Sequence, residues 1–194
     1  MSKIERALMI GRFQPFHKGH LLLVKDILTD CKEIIIAIGS SQFNYTPTNP
    51  FTAGERVHMI HESLVENNMN LKRVYVIPVS NSENNAIWLE QLKSTVPKFD
   101  IIYSGNEFVR ALIENDKSIR LKVAALYHKR HFNGTYIRNC IVKNHTWNDL
   151  VPDSTYRIIN EIDGTNRMKM INKTQQLVQR NAGDIEAKYY PKIK

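Results

Sequence analysis

The chain has 194 residues, of which 42% are hydrophobic and 24% charged, with a formal net charge of +8. This composition is typical of one soluble globular domain, and it argues against a membrane span because no apolar run approaches the ~20 residues required. Charges at Lys3, Glu5 and Arg6 lie where a signal peptide would need its apolar region, so we expect no secretory signal.

The two cysteines, Cys31 and Cys140, form no disulfide framework and have no metal-ligand spacing with histidines. Free buried thiols in a reducing compartment are the simpler interpretation. We therefore expect a cytoplasmic protein.

Predicted strands and helices alternate along the chain. Strands are predicted at residues 6–10, 33–39, 74–79, 100–104 and 121–126, and helices at residues 20–28, 53–66, 84–94, 107–114, 136–143, 154–162 and 165–180. Several strands are continuously apolar, which is typical of a parallel sheet buried on both faces. The sequence predicts a doubly wound, Rossmann-like α/β domain over residues 1–150, with a small helical appendix at 151–194 packed on it.

The first predicted turn, from Gly11 to His20, connects the first strand to the first helix. His17 and His20 lie on one side of the first helical turn if the helix begins near Lys18. Free N–H groups and the helix dipole attract anions there. Together with Arg12, the two imidazoles predict a polyphosphate site, whereas the simpler alternative makes the histidines ordinary surface residues.

Two helix ends and one tryptophan carry further signals. Thr52 and Glu55 form a capping box before the predicted helix 53–66, and Gly164 is a candidate C-cap between the last two helices. Trp88 shares helical spacing with Leu92, so the residues alone favour a core position for its indole.

The positive charge is concentrated between Asp116 and Asp149, where no acidic residue occurs and seven Lys or Arg residues do. Such a segment binds either nucleic acid or a small polyanion. The aromatic pattern of RNA-binding sheets is absent, so a nucleotide is favoured over a nucleic acid.

The motifs together resemble the archaeal-type nicotinamide-nucleotide adenylyltransferases of the H-x-G-H nucleotidylyltransferase superfamily. The resemblance rests on the string Gly11–His20 and on four later blocks, and it extends over roughly residues 7 to 165. These blocks are residues 49–56, residues 85–88, residues 134–138, and a last block made of residues 150–152 and 161–164. Asn133 departs from the pattern, since the superfamily usually has serine there, but asparagine is a competent N-cap.

The resemblance implies which residues contact ATP. Arg12, His17, His20 and Arg138 would contact its phosphates and carry catalysis. The full set implied for ATP binding is Gly11, Arg12, Phe13, His17, Gly19, His20, Asn133, Gly134, Thr135 and Arg138.

It also implies a site for nicotinamide mononucleotide (NMN). Trp88 would stack on the pyridinium ring, and a nearby asparagine would meet the carboxamide. Arg56 is a weaker candidate for the mononucleotide phosphate, with a surface ion pair as its alternative. The implied set is Phe16, Arg56, Asn84, Asn85 and Trp88.

The implied reaction transfers AMP from ATP to NMN and releases NAD and pyrophosphate. The resemblance further implies Mg²⁺ held through substrate phosphates rather than by the protein, and a homo-oligomer, specifically a hexamer. Two alternatives stay open. One is a sibling enzyme with another phosphate acceptor. The other is a nucleotide-dependent regulator or RNA-binding protein, which the basic C-terminal segment favours.

Overall fold

Five parallel strands form one sheet in the order β3-β2-β1-β4-β5. The computed structural model describes residues 4–82, 84–113, 116–125, 127–128 and 130–189. The strands are β1 (Ile4–Gly11), β2 (Cys31–Ile38), β3 (Val74–Pro78), β4 (Ile101–Ser104) and β5 (Arg120–Val123). The strand order reverses between β1 and β4, which is where ligands bind in sheets of this kind.

Helices cover both faces of the sheet. They are α1 (Lys18–Asp30), α2 (Ala53–Glu66), α3 (Trp88–Thr95), α4 (Glu107–Ile113), α5 (Gly134–Val142), α6 (Asp153–Glu161) and α7 (Gly164–Tyr189). Alternate residues of β2 belong to different cores, because successive side chains of a strand point to opposite faces. Ile34 and Ile36 pack in the core that includes α1 and α2 residues, while Ile35 and Ala37 pack with residues of α3 and α4. The predicted doubly wound fold is thereby confirmed.

The predicted element positions agree with the structure except at some ends. The Thr52 capping box and the helix at Ala53–Glu66 are confirmed. The helix predicted from residue 84 begins instead as a single 3₁₀ turn, Asn85–Ile87, because the Asn84 side chain accepts a hydrogen bond from Ala86 N–H. The predicted ends of the fourth helix and fifth strand, Glu114 and Leu126, lie outside the described residues.

The prediction for Gly164 is wrong. The residue with left-handed backbone between α6 and α7 is Asp163, with φ 52°, and Gly164 is the first residue of α7. A Cβ at Gly164 would lie 2.9 Å from the Phe51 ring and 3.0 Å from the Ile159 carbonyl oxygen. The glycine therefore permits close packing rather than a reversal of the chain.

The C-terminal helices share the core of the sheet. α6 packs against α2, and Ile158, Ile159 and Met168 belong to the same buried cluster as α1 and α2. α7 is longer than predicted, since it continues to Tyr189. The division of the chain at residue 150 stays a prediction. Within the described residues, no helix combines the length and apolar character that a membrane crossing requires.

Candidate functional site

The turn between β1 and α1 lies at the carboxyl edge of the sheet and is tied to the chain around Phe51. The Gln14 side chain is buried, and its amide pairs with Phe51 in both directions, accepting from its N–H at 3.0 Å and donating to its carbonyl at 2.8 Å. Phe13 takes a left-handed backbone with φ 50°, which is uncommon for a residue other than glycine. A turn of this shape persists because its surroundings hold it.

His17 and His20 cap the first turn of α1 reciprocally. The Nδ1 atom of His17 accepts the His20 N–H at 3.3 Å, and the Nδ1 atom of His20 accepts the His17 N–H at 3.2 Å. The rings stack with centroids 3.4 Å apart. Because a backbone N–H can only donate, both Nδ1 atoms are acceptors, and each neutral ring carries its hydrogen on Nε2. The predicted helix start near Lys18 is confirmed.

Both histidines are neutral at physiological pH. Burial lowers the pKa of His17 to about 3, since only 6% of the residue is exposed. Burial, together with the neighbouring His17, also lowers the pKa of His20 well below its usual value. The pair therefore offers Nε2–H hydrogen-bond donors rather than two positive charges.

Two phenylalanines hold His20 in place. Phe13 meets its ring edge-on with centroids 4.8 Å apart, and Phe16 stacks on it at 5.4 Å. Both are buried in the core, with Phe16 completely so. Both side chains therefore support His20, and the substrate contacts implied for Phe13 and Phe16 stay predictions.

The start of α5 packs against this turn. Asn133 is the N-cap of α5, as predicted, and its Oδ1 accepts the Tyr136 N–H at 2.7 Å. Arg138 is buried, and its Nη1 donates to the Gln14 carbonyl at 2.8 Å while its Nη2 donates to the Thr135 hydroxyl at 3.2 Å. The N-termini of α1 and α5 thus adjoin the same turn, which is the arrangement that anion binding requires.

Three glycines of the predicted site permit this close packing. A Cβ at Gly134 would lie 2.8 Å from the Gln14 carbonyl oxygen, and one at Gly19 would lie 2.9 Å from Phe132 Cβ. One at Gly11 would approach the Phe13 ring to 3.0 Å. A larger residue at Gly134 or Gly19 would push elements of the site apart, whereas one at Gly11 would displace the Phe13 ring.

A cavity of about 350 Å³ opens beside the turn. It brings together four of the predicted residues, namely Gly11, Arg12, Asn85 and Trp88. It is also lined by residues that follow the ends of β2, β3 and β4: Gly39, Ser40, Asn81, Ser82, Asn106 and Val109. Trp88 is half-buried, with part of its indole against the core of α3 and α4. It therefore combines the core position favoured by spacing with a place in the cavity wall.

Thr135 and Arg138 line a second cavity, of about 250 Å³, between the loop of residues 46–50, α5 and α7. A larger, open groove of about 620 Å³ lies between the loop of residues 45–47 and α7, and it contains none of the predicted site residues. The predicted residues are therefore divided: four line the first cavity and two line the second, whereas His17, His20 and the residues beside them at the two helix starts line neither.

Two residues predicted to contact the mononucleotide do not face the first cavity. Asn84 is exposed, and its side chain caps the turn before α3. Arg56 is completely buried, and its guanidinium donates to the carbonyls of Arg12, Gly39, Ser40 and Thr52. The structure thus gives Arg56 four backbone carbonyl partners and no place in the wall of the first cavity.

The arginines of the site form no ion pair with the carboxylates that the structure describes. Burial and the nearby Arg12 lower the pKa values of Arg56 and Arg138 to about 10 each, so both remain charged at neutral pH. The ion pairs among the described residues include none of these three arginines. This edge of the sheet is therefore positively charged and suits an anionic ligand.

Gln14, Ser40, Asn81 and Asn106 are site residues that the sequence analysis did not assign. Ser40 and Asn106 each follow the end of a strand by two residues. Because the carboxyl ends of parallel strands meet at one edge of the sheet, a polar residue just after a predicted strand could have been assigned to the site. Nothing local in the sequence marks Gln14 as the partner of Phe51.

Comparisons with known proteins agree with this geometry. Residues 8–161 match the model of the cytidylyltransferase-like family. The nicotinamide-nucleotide adenylyltransferase of Methanococcus aeolicus is 46% identical over 86% of this chain and 95% of its own length, and that of Caldivirga maquilingensis is 43% identical over 86% and 93%.

Among solved structures, a bifunctional NMN adenylyltransferase/ADP ribose pyrophosphatase from Francisella tularensis, complexed with AMP and a manganese ion, superimposes with a TM-score of 0.76. Its sequence identity is 20%, and the match covers 95% of this chain. The chain spans 56% of the length of that bifunctional protein. At this identity, the likeness shows the shared fold.

The lowered histidine pKa values predict how stability depends on pH. Below pH 6.5, histidines in the unfolded chain take up protons, whereas His17 and His20 in the folded chain stay neutral. The free energy of unfolding therefore falls as the pH drops toward 3. Each histidine contributes a slope of about 1.4 kcal/mol per pH unit. His17→Asn keeps a capping oxygen and is expected to reduce the slope measured by urea unfolding by that amount.

The matched control is His61→Asn, which removes a half-exposed histidine from α2. If the unfolding free energy of His17→Asn depended on pH as steeply as that of the wild type, the folded His17 would take up a proton below pH 6.5 as an unfolded histidine does.

Proposed function

Because this chain belongs to the cytidylyltransferase-like family and has archaeal nicotinamide-nucleotide adenylyltransferases among its relatives, we propose that it transfers AMP from ATP to NMN, giving NAD and pyrophosphate. The family resemblance predicted from the motifs is confirmed by these matches. The single observation that carries the proposal is the pair of helix N-termini, α1 and α5, that adjoin one turn beside an arginine- and tryptophan-lined cavity.

The reaction needs little covalent chemistry from the protein. The phosphate of NMN is largely dianionic at neutral pH, because its second pKa is about 6. It therefore attacks the α-phosphorus of ATP without a general base. The protein must align the attacking and leaving oxygens and stabilise the charge that develops on pyrophosphate.

The proposed phosphate contacts come from groups that are already in place. His17 and His20 would each donate an Nε2–H, and Arg12 and Arg138 would supply positive charge. Thr135, Gly134 and the N–H groups at the start of α5 would hold the distal phosphates. Gly11 and Gly19 would let the backbone approach the nucleotide. Donors fixed before the reaction stabilise developing charge without reorganising, which is their advantage over water.

The cavity beside Trp88 suits the nicotinamide half of the acceptor. Its indole lies in the wall together with Asn85. An aromatic face attracts a cationic pyridinium ring, and an asparagine amide matches both the donor and the acceptor of a carboxamide. An alkyl phosphate acceptor would have no use for this pairing.

The part of the chain that the structure describes contains no metal cage. Among the residues that the structure describes, no group of three or more His, Cys, Asp or Glu is arranged to hold a metal ion. Mg²⁺ usually keeps several waters and binds through substrate phosphates. We propose that a divalent cation enters with ATP, that the protein assembles as a homo-oligomer and that it resides in the cytoplasm.

The proposal is tested by coupled detection of NAD and pyrophosphate with a panel of acceptors. The panel contains NMN, nicotinic acid mononucleotide, pantetheine phosphate, riboflavin phosphate and glycerol phosphate, each with ATP or CTP. We expect pyrophosphate release with ATP and NMN, matched by NAD formation. Release with an alkyl phosphate and not with NMN would favour the sibling enzyme, and no release with any acceptor would favour a regulatory or RNA-binding role.

Trp88 distinguishes the pyridinium acceptor from the others. In a Trp147→Phe background, which leaves Trp88 as the single indole of the chain, NMN is expected to quench fluorescence saturably and ATP much less. Trp88→Ala should raise the KM for NMN roughly tenfold, since a cation–π contact contributes about 0.5–2 kcal/mol. The KM for ATP should change little.

If the indole acts only in the core, Trp88→Ala instead lowers the unfolding free energy and weakens both substrates alike. Early melting without a selective NMN defect would overturn the stacking role.

A further inference from the structure

Arg56 occupies a position that neither a surface ion pair nor a ligand contact explains. It lies in the first turn of α2 and is among the largest side chains that the core encloses completely. Its guanidinium is surrounded by carbonyls rather than carboxylates. Nε donates to Thr52 at 3.1 Å, Nη1 to Arg12 at 3.0 Å and to Gly39 at 2.9 Å, and Nη2 to Ser40 at 3.2 Å.

The neighbouring carboxylate does not neutralise it. Glu55 accepts the Thr52 N–H at 2.9 Å and pairs with Arg167 at 2.7 Å. Burying a cation without a paired anion is costly, and burial accordingly lowers the pKa of Arg56 to about 10. Hydrogen bonds to four carbonyls offset part of that cost.

Three of the four residues whose carbonyls Arg56 binds line one cavity. Arg12 follows β1, while Gly39 and Ser40 follow β2, and all three line the cavity of about 350 Å³ that also contains Trp88. The Gly39 N–H in turn donates to the Gly11 carbonyl at 2.9 Å. Ser40 has a left-handed φ of 54°, a conformation that requires support from its surroundings.

We infer that Arg56 is a positioning residue: it fixes the two strand-end turns that carry Arg12 and Ser40 and places a buried positive charge behind the anion site. It contacts the carbonyls and not the substrate. Its planar guanidinium can donate to three chain segments at once, whereas a lysine ammonium is a single point of charge. The inference rests on the proposed function, because it assigns Arg56 a part in that site.

The chain offers a matched control. Arg73 also donates to three carbonyls, those of Leu28, Cys31 and Lys32 at 2.6–2.8 Å. It lies just before β3 and beside the start of β2, at the opposite edge of the sheet. Arg73→Lys therefore tests the loss of a carbonyl-bonded guanidinium away from the cavity.

The experiment compares Arg56→Lys and Arg73→Lys with the wild type. For each protein, kcat and KM are measured with ATP and NMN, and affinity for inorganic tripolyphosphate is measured by calorimetry. We expect Arg56→Lys to lower kcat roughly ten- to hundredfold, as misplacement of a reacting group does, and to weaken tripolyphosphate binding. Arg73→Lys should lower the melting temperature without changing either quantity.

Parallel behaviour of the two variants, or wild-type kcat and tripolyphosphate affinity in Arg56→Lys, would overturn the positioning role. A wild-type protein that binds tripolyphosphate but forms no NAD would overturn the proposed function alone, since the binding comparison still decides the role of Arg56. A wild-type protein that does not bind tripolyphosphate would overturn the inferred anion site.

A second measurement needs no variant and applies if Arg56→Lys does not fold. The Nε–H resonances of Arg56 and Arg73 in the wild-type chain are followed by NMR during titration with tripolyphosphate. We expect the Arg56 signal to shift with saturation and the Arg73 signal to stay in place. An unmoved Arg56 signal in a sample that binds the probe would contradict the inference.

Discussion

The turn between β1 and α1 keeps its shape because buried polar side chains bind its backbone. Arg56 from α2 donates to the Arg12 carbonyl, Arg138 from α5 donates to the Gln14 carbonyl, and the Gln14 amide pairs with Phe51. Each bond joins a different part of the chain to the same few residues. Removing one partner would leave a buried polar group unsatisfied, which costs about 1–3 kcal/mol. The orientation of α1, α2 and α5 around the site therefore depends on these bonds.

The site has two kinds of polar group. Burial lowers the pKa of both, which makes the histidines neutral but leaves the arginines charged, because their pKa values fall only to about 10. The histidines are neutral and stacked, so their donors are fixed by the reciprocal cap with the α1 backbone. The arginines stay charged and have carbonyl or hydroxyl partners. A bound polyphosphate would supply the missing negative charge. The fold holds this arrangement before any ligand arrives, as electrostatic stabilisation of a developing charge requires.

Sequence patterns predicted the features that local spacing decides. Alternating strands and helices predicted the sheet architecture, and spacings of three residues placed His17 and His20 together at the start of α1 and predicted the Thr52 capping box. The reciprocal cap between the two histidines was not predicted. Asn133 followed from the chemistry of helix N-caps, since its short side chain reaches the Tyr136 N–H.

Features decided by packing between distant segments were not predictable in this way. Arg56 and Phe16 belong to motifs for which ligand contacts were predicted, yet the folded chain encloses both side chains. Gly164 is the residue type typical of a helix C-cap, but it is needed here because the Phe51 ring, from a distant part of the chain, packs against it. Gln14 stands next to recognised motif residues, but its role depends on a partner 37 positions away. Each case turns on tertiary contact rather than on local preference.

In the proposed reaction, the capped N-terminus of α1 stabilises the charge of the departing pyrophosphate. The decisive measurement is the kcat of His20→Ala for NAD formation, taken together with the dissociation constant for NMN. We expect kcat to fall by about two orders of magnitude or more, as loss of a fixed donor does, while NMN affinity changes little. A near-normal kcat, or a loss confined to NMN affinity, would show that His20 does not stabilise the departing pyrophosphate.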